Sequence, residues 1–592
     1  MLESVHVLYL NSSAGSVQAA SFDQWLTDTL DTPVTWIENI VFYAVPIGGA
    51  EIPLLIVWLM AASLFFTVYL RFQPVTGLKH SIDLIRGKFS RRSDPGEVTS
   101  FQALATELSG TVGLGNIAGV AVAITMGGPG AAFWIIVAGL LGMSLKMAEA
   151  VMGVRYREIK DDGSVAGGPM YYLRNGLKEI GRPKTGRALA LMYAIFALIG
   201  TIGAGNLFQA NQVTAILTAD LNEGNFFAQN NWAIGVIIAV LAALVILGGI
   251  SAIAKMTAIL TPAMSVLYIG MTLAVLAVNF TAIPEAFRLI VAHAFTGEGV
   301  AGGVVGVAVV GIQRALFSNA AGVGTAGFAH AAVKTHRPAT EGFVALWEPF
   351  IASVVICTMT ALAIITTGQY TSEGADGIAL TSASFATVAG WFPLLLTLAV
   401  VLFGFSTILS YAYYGQRAAA YLFGEKKSVE KVYNIFYILV IVVGATISLD
   451  TVVRFSDAMF FLMTFPNVLG LFFLAKVLRL EILGHQIRVG AGSVAPEHPD
   501  EQTGLGATDE DDAAQQARQV REIKETQVAT GAIDLSELRR WQAEGETVSD
   551  REYSEARDFA RSSEHFEVDD SGEIIARDDA PTTTGSQGGH TI

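Results

Sequence analysis

The sequence predicts an all-α integral membrane protein of eleven helices: one extra amino-terminal transmembrane helix, then ten that divide into two inverted five-helix repeats. Three observations predict it. Of 592 residues 52% are hydrophobic and 15% charged, with a mean hydropathy of +0.50, against about 25% charged in a soluble globular chain. Apolar runs near the ~20 residues that cross a bilayer recur along the chain. Two of those runs are interrupted, at Thr111-Val-Gly-Leu-Gly-Asn-Ile-Ala-Gly119 and Ser318-Asn-Ala-Ala-Gly-Val-Gly-Thr325.

The runs begin near Ile52–Leu70, Phe101–Met126, Ala131–Arg155, Ala190–Ala219 and Trp232–Gly249. They continue at Met256–Asn279, Gly302–Ala332, Phe343–Thr366, Pro393–Gly415, Val432–Leu449 and Met459–Leu478. With the first run set aside, an interrupted run leads each group of five, so core repeats are expected at about 101–280 and 302–480. An odd number of spans per repeat inverts one repeat relative to the other, and such folds form a solute site at the midplane. Basic residues fix the orientation. Arg71, Lys79, Arg86, Lys88, Arg91 and Arg92 follow the first span, and Arg157, Lys160, Arg174, Lys178, Arg182, Lys184 and Arg187 follow the third. Later loops on that side carry Lys255, Lys334, Arg337, Arg417, Lys426 and Lys427, whereas the alternate loops 220–231 and 368–377 are poor in bases. The amino terminus is expected outside and the carboxyl terminus in the cytoplasm, in the cell (inner) membrane.

Residues 1–50 read as an extracytoplasmic segment without a signal peptide, with a short interfacial helix over 22–50. Residues 51–490 are the membrane domain. Residues 491–592 form an acidic tail, expected to be disordered with a local helix near Leu535–Glu544. That tail holds 24 acids and 9 bases, which accounts for the whole net charge of −15. The membrane body is neutral, so the acidity says nothing about a solute. The single cysteine, Cys357, excludes an internal disulfide. No His/Cys cluster or phosphate-binding loop appears in the body, which argues against ATP-driven pumping, and Gly127-Gly-Pro-Gly130 is a turn.

Glycine weakens a helix by about 1 kcal/mol, and irregular backbone at bilayer depth is tolerated only in protein or along a cavity. Close helix packing is the commoner reason for such glycines; a second break in the other half favours a binding site. Amides freed at a helix start favour a carboxylate and carbonyls at a helix end favour a cation, so Val112, Gly113, Leu114, Gly115 and Asn116 are candidate solute contacts. Thr111, Asn116, Ser406 and Thr407 are candidate oxygen ligands for sodium, although Ser and Thr commonly bond back to their own helix. Asn206 and Gln209, three apart, are expected to share a cavity face or to bond helix to helix. Ser318 and Asn319 line the second break, and Tyr411 stacks one turn from Thr407. Glu107 lies one turn before the first break and needs a partner; Arg314, before the second break, is the expected one. Lys146 and Glu149 read as a solvated pair at the interface.

The motifs resemble those of the alanine or glycine:cation symporter family of the amino acid–polyamine–organocation superfamily. The resemblance runs from about Pro53 to Leu478. It is carried by Gly113-Leu-Gly-Asn-Ile-Ala-Gly-Val120, Gly127-Gly-Pro-Gly130, Gly167-Gly-Pro-Met-Tyr-Tyr172, Gln313-Arg-Ala-Leu-Phe-Ser-Asn319, Phe405-Ser-Thr407, Tyr413-Tyr-Gly415 and Phe465-Pro-Asn467. The run 112–116 also looks like the unwound first helix of leucine-type sodium symporters, which implies a leucine-transporter-like five-plus-five fold. By resemblance, 112–116 cradles an amino acid, Ser406 and Thr407 line the cation and substrate positions, and Gln209 contributes to the pocket. The implied partners are a small neutral amino acid, sodium as coupling ion and the lipid bilayer, with no cofactor, no nucleic acid and no enzymatic step. Proton coupling through Glu107, or a sensor that no longer transports, are the alternatives. The chain departs from the family pattern at Ala320, where an acid is usual, at Ala352-Ser353 in place of Asp-Thr, at Tyr411 in place of tryptophan, and at Glu107, usually small and uncharged.

Overall fold

The computed structural model describes residues 34–47, 50–86, 94–160, 163–219, 221, 224–296, 302–371, 377–490, 566–568 and 574–576. Most of the acidic tail, its expected local helix and residues 1–33 of the amino-terminal segment lie outside the described residues. Two units divide the chain, one of residues 1–87 and 91–481, the other of 88–90 and 482–592. In the second, Phe566–Val568 and Ile574–Ala576 pair as an antiparallel ribbon.

The first unit is helical. Of the interfacial helix expected over 22–50, residues 34–41 are helical, with Thr35 and Glu38 bonded to Arg454, whereas 44–47 and 50 are strand. A hairpin of β1 (Ala44–Ile47) and β2 (Ala50–Pro53) leads into α1 (Leu54–Tyr69). The first interrupted run is α2 (Ser100–Thr111) and α3 (Leu114–Gly127), followed by α4 (Ala131–Arg155). Then come α5 (Pro183–Ile202), a π-turn over Gly203–Leu207, α6 (Phe208–Thr218), α7 (Asn231–Ile246) and α8 (Gly249–Val278). The second interrupted run is α9 (Gly303–Asn319) and α10 (Thr325–Ala329). After α11 (Pro338–Ala345) a π-helical stretch, Phe350–Cys357, leads to α12 (Thr358–Thr366). The remainder is α13 (Phe392–Phe423), α14 (Lys427–Gly444), α15 (Leu449–Leu462) and α16 (Thr464–Gly490).

Among the described residues seven helices are long and apolar enough to cross a membrane, and seven of the eleven expected runs fall in them. Three other runs form the shorter apolar helices α1, α7 and α9. The last forms α14, whose first turns carry Lys427, Glu430 and Lys431. The outer face of α7 exposes Val236, Ile237, Val240, Leu241 and Leu244. A contiguous apolar stripe of this kind suits hydrocarbon, not water.

Local chemistry sets the breaks. A capping box starts α2, with the Gln102 amide donating to Thr99 Oγ1 at 3.2 Å and the Thr99 amide to Gln102 Oε1 at 2.9 Å. The helix stops where Val112 and Gly113 turn extended, and α3 restarts at Leu114. At the second break Ala320 adopts the left-handed region (φ 52°), followed by Gly322 (φ 89°) and Gly324 (φ 97°). Small residues then let α4 lie against this break. A Cβ on Gly142 would stand 3.0 Å from Ala321 Cβ, and one on Gly153 would stand 2.6 Å from the Gly327 carbonyl oxygen. Close backbone approach is how membrane helices associate where lipid supplies no hydrophobic drive. Gly153→Ala is therefore expected to push α10 off α4 and to cost about 1–3 kcal/mol of overpacking, read as a lower unfolding temperature in detergent; an unchanged temperature would contradict this packing.

Candidate functional site

Helix geometry leaves the first amides of α3 without intrahelical partners. The Gly113 amide is taken by Asn116 Oδ1 at 3.0 Å, and the Asn116 amide bonds the Gly113 carbonyl at 3.0 Å. Those of Leu114 and Gly115 have no partner among the described residues. Around them stand residues from four other helices. Thr407 Oγ1 lies 3.4 Å, and the Phe317 ring 3.2 Å, from Cβ atoms built on Gly113 and Gly115. Phe317 packs on Phe460 (5.6 Å between centroids) and Phe208 (6.3 Å), while Tyr411 lies 6.5 Å from Phe460. Gln209 donates to the Ala204 carbonyl at 3.1 Å, and its buried Oε1 has no partner among the described residues.

Expected residues that face elsewhere are as informative. Asn206 donates to the Tyr437 carbonyl at 2.7 Å, so it ties α14 rather than facing the gap with Gln209; the π-turn between α5 and α6 changes the register their spacing assumes. Asn116 donates to Ser318 Oγ (2.8 Å) and to the Ala352 carbonyl (2.9 Å). Its side chain thus joins the first break to the second and to the π-helical stretch. Asn319 donates to Ser353 Oγ at 3.1 Å and accepts from the Ala321 amide at 2.9 Å, which also commits it to structure.

Oxygens gather along the seam of α2 and α13. Thr407 Oγ1 donates to the Ser109 and Phe403 carbonyls at 2.8 and 2.9 Å. Ser109 Oγ bonds the Ser406 carbonyl at 2.8 Å and Ser410 Oγ at 2.7 Å, and Ser410 Oγ bonds the Thr106 carbonyl at 2.7 Å. All four hydroxyl residues of this seam, Ser109, Ser406, Thr407 and Ser410, are buried. The Ser406 hydroxyl itself turns to Phe403 and Met264 Sδ, so Ser406 brings its carbonyl, not its hydroxyl, to the seam. Thr111 bonds back to the Glu107 carbonyl at 3.1 Å. Ser109 and Ser410 escape a sequence reading because a single serine in an apolar run looks like filler.

Residues 36–492 match the model of the sodium:alanine symporter family. The chain belongs to that family. It is 38% identical to the "Sodium/alanine symporter AgcS" of Methanococcus maripaludis over 72% of this chain and 92% of that one. An "Uncharacterized transporter" of Haemophilus influenzae is 34% identical over 72% and 91%. The "Probable sodium/glutamine symporter GlnT" of Bacillus subtilis is 34% identical over 72% and 86%. The family is one of symporters, multi-pass membrane proteins and not enzymes. Motifs far apart in this symporter's chain meet at the second break. Tyr172 donates to Asn467 Oδ1, and Asn467 Nδ2 donates to Glu149 Oε1 (3.1 Å) and the Gly322 carbonyl (2.8 Å).

The buried charges of the symporter correct two expectations. Glu107 is paired by Lys146 at 2.5 Å, not by Arg314, and also accepts from Thr325 Oγ1 (2.5 Å) and Tyr414. Arg314 instead acts electrostatically on Asp457 of α15. The reason is that α4, narrowed by glycines, crosses behind both breaks and carries Lys146 inward. Lys146 and Glu149 are therefore fully buried, not solvated at an interface. Lys146 also lies 3.4 Å from Glu348, which shares His330 with Glu341 at 2.6 and 2.7 Å. Removing one member of a buried pair typically costs about 3–5 kcal/mol because the other charge is stranded. Glu107→Gln is expected to cost that much in thermal unfolding, and Glu107→Gln with Lys146→Met less. A double variant as unstable as the single would mean that the two charges are not coupled.

Proposed function

We propose that this symporter couples sodium to the inward movement of a small neutral amino acid of the alanine or glycine class. The observation that carries the reading is the pair of unbonded amides at Leu114 and Gly115 beside the oxygen-rich seam of α2 and α13. Amides at a helix start receive the α-carboxylate of the solute. The unpaired Gln209 Oε1 suits its ammonium group. Phe317, Tyr411, Phe460 and Phe208 confine the side chain, which favours a small one. Sodium is a hard cation and takes oxygen; Thr407 Oγ1, Ser410 Oγ and the carbonyls of Thr106, Ser109 and Ser406 are the ligands assigned to it. The hydroxyls release their present bonds by rotating about one torsion, so little backbone has to move when the ion enters.

In this reading the ten helices after α1 work as two inverted five-helix repeats, each led by a broken helix, and rock about the site by alternating access. The protein sits in the cell membrane with its amino terminus outside and its tail in the cytoplasm, as the basic loops require. Uptake of labelled alanine into proteoliposomes under an inward sodium gradient tests the reading. Alaninamide is expected not to compete, since it lacks the carboxylate; equal competition would sink the assignment of the amides. Thr407→Val removes one oxygen at nearly constant volume. A ligand bond to a charge is worth about 1.5–3 kcal/mol, so the sodium concentration for half-maximal uptake should rise roughly tenfold or more, and unchanged sodium activation would place the ion elsewhere.

A further inference from the structure

Glu149 is wholly buried in α4, and its two carboxyl oxygens have opposite surroundings. Oε1 accepts three hydrogen bonds, from the Gly322 amide at 2.9 Å, the Gly324 amide at 3.0 Å and Asn467 Nδ2 at 3.1 Å. Oε2 accepts none among the described residues. An ionised carboxylate divides its charge between both oxygens, so an ionised Glu149 would leave half its charge without a donor in the protein interior. A protonated one leaves a neutral hydroxyl there, which is far cheaper to bury.

The neighbours offer Oε2 no spare cation. Lys146, one turn earlier on the same helix, is held by Glu107 and Glu348. From other elements Glu107, Glu348, Tyr172 and Tyr193 face Glu149, two acids and two phenols. His330 is held between Glu341 and Glu348, both ring nitrogens within hydrogen-bond reach of a carboxylate oxygen. With all four glutamates ionised and both Lys146 and His330 charged, the cluster would carry two uncompensated negative charges at bilayer depth. Glu107 is the least suited of the four to hold an extra proton, because Lys146, Thr325 and Tyr414 already donate to it.

We propose that Glu149 is a proton-binding site of this transporter: Oε2 carries a proton in the present arrangement of helices and gives it to water when the second break moves. The donors to Oε1 sit on the break and on α16, so the site senses their position relative to α4. Opening that admits water supplies Oε2 with the donors it lacks; the O–H bond then breaks, the electron pair stays on the carboxylate and the proton leaves as hydronium. A proton is thereby linked to the cycle in addition to sodium. The linkage rests on the transport reading above, whereas the occupied carboxyl does not.

The full-length protein in lipid nanodiscs at pH 8 provides the test, by infrared spectroscopy. Exposed carboxyls are ionised there, so a protonated-carboxyl C=O band reports a buried one. The wild type is expected to show the band, Glu149→Gln to lose one carboxyl of its intensity, and Glu285→Gln, at an exposed position, to keep it. A wild type without the band, or a band untouched by Glu149→Gln, overturns the proposal. Should Glu149→Gln not fold, Asn467→Ala removes one donor from the C=O oxygen and is expected to move the band to higher frequency; an unmoved band overturns the proposal as well. In proteoliposomes with a pH dye in the lumen, sodium-driven uptake should carry a pH change that Glu149→Gln abolishes. Uptake with no pH change in the wild type overturns the linkage alone, while no uptake of any amino acid overturns the transport reading and leaves the infrared result decisive for the site.

Discussion

Hydrocarbon offers no water to a peptide group, so each amide and carbonyl that a helix break releases at bilayer depth needs a partner inside the protein. Much of this structure is an answer to that demand. At the second break the Gly322 and Gly324 amides go to Glu149, the Ala321 amide to Asn319, the Gly322 carbonyl to Asn467 and the Val323 carbonyl to Tyr193 at 2.9 Å. The π segments are treated the same way. Ala352 gives its carbonyl to Asn116, Ala204 to Gln209, and Gly205 to Tyr437 at 3.1 Å. Against that background the Leu114 and Gly115 amides stand out. Thr407 Oγ1 and the Phe317 ring lie beside them, 3.4 and 3.2 Å from Cβ atoms built on Gly113 and Gly115.

The same demand explains why so many charges lie inside a neutral body. A buried ion pair is weak evidence for stability, because desolvation offsets its Coulomb attraction, and its better-supported role is to fix one arrangement among several. Glu107 joins α2 to α4, α10 and α13 through Lys146, Thr325 and Tyr414. Glu149 joins α4 to the second break and α16. The two glutamates therefore tie α2, α10 and the second break to α4. Any motion that exposes the site must exchange these bonds for water.

Much of the architecture was legible in the sequence, since apolar runs and glycine breaks are local signals. All eleven runs fall on helices, and Thr407 Oγ1 lies 3.4 Å from a Cβ built on Gly113 of the first break. Partners across the fold were not legible, because they depend on which helices cross. Arg314 was the nearest cation to the second break along the chain, yet α4 delivers Lys146, and the close approach rests on Gly142 and Gly153, whose role shows only when α4 is docked. For Asn206 and Gln209 the spacing left a shared cavity face and helix-to-helix bonding both open, and Asn206 takes the second, on the Tyr437 carbonyl. Phe317, Phe460 and Phe208 carry no polar mark, so nothing separated them from other packed aromatics. Ser109 and Ser410 become ligand candidates only when their hydroxyls are found 2.7 Å apart.

The departures from the family pattern are easier to understand as a balance of charge than as a loss of site. Position 320 is buried and left-handed, and its amide is already bonded to the Leu316 carbonyl at 3.0 Å. The amides that follow it are held by Glu149. A carboxylate at 320 would join Glu107, Glu149, Glu341 and Glu348 in a region whose cations are Lys146 and His330, and would add a charge with no counterion. The chain lacks the family's acids at 320 and 352 and gains one at 107, which lies directly on the lysine. At 352 the side chain is immaterial to the first break, because Asn116 bonds the backbone carbonyl there. What these substitutions conserve is the satisfaction of the breaks, which the physics of the bilayer enforces, while the position of any one acid is free to move.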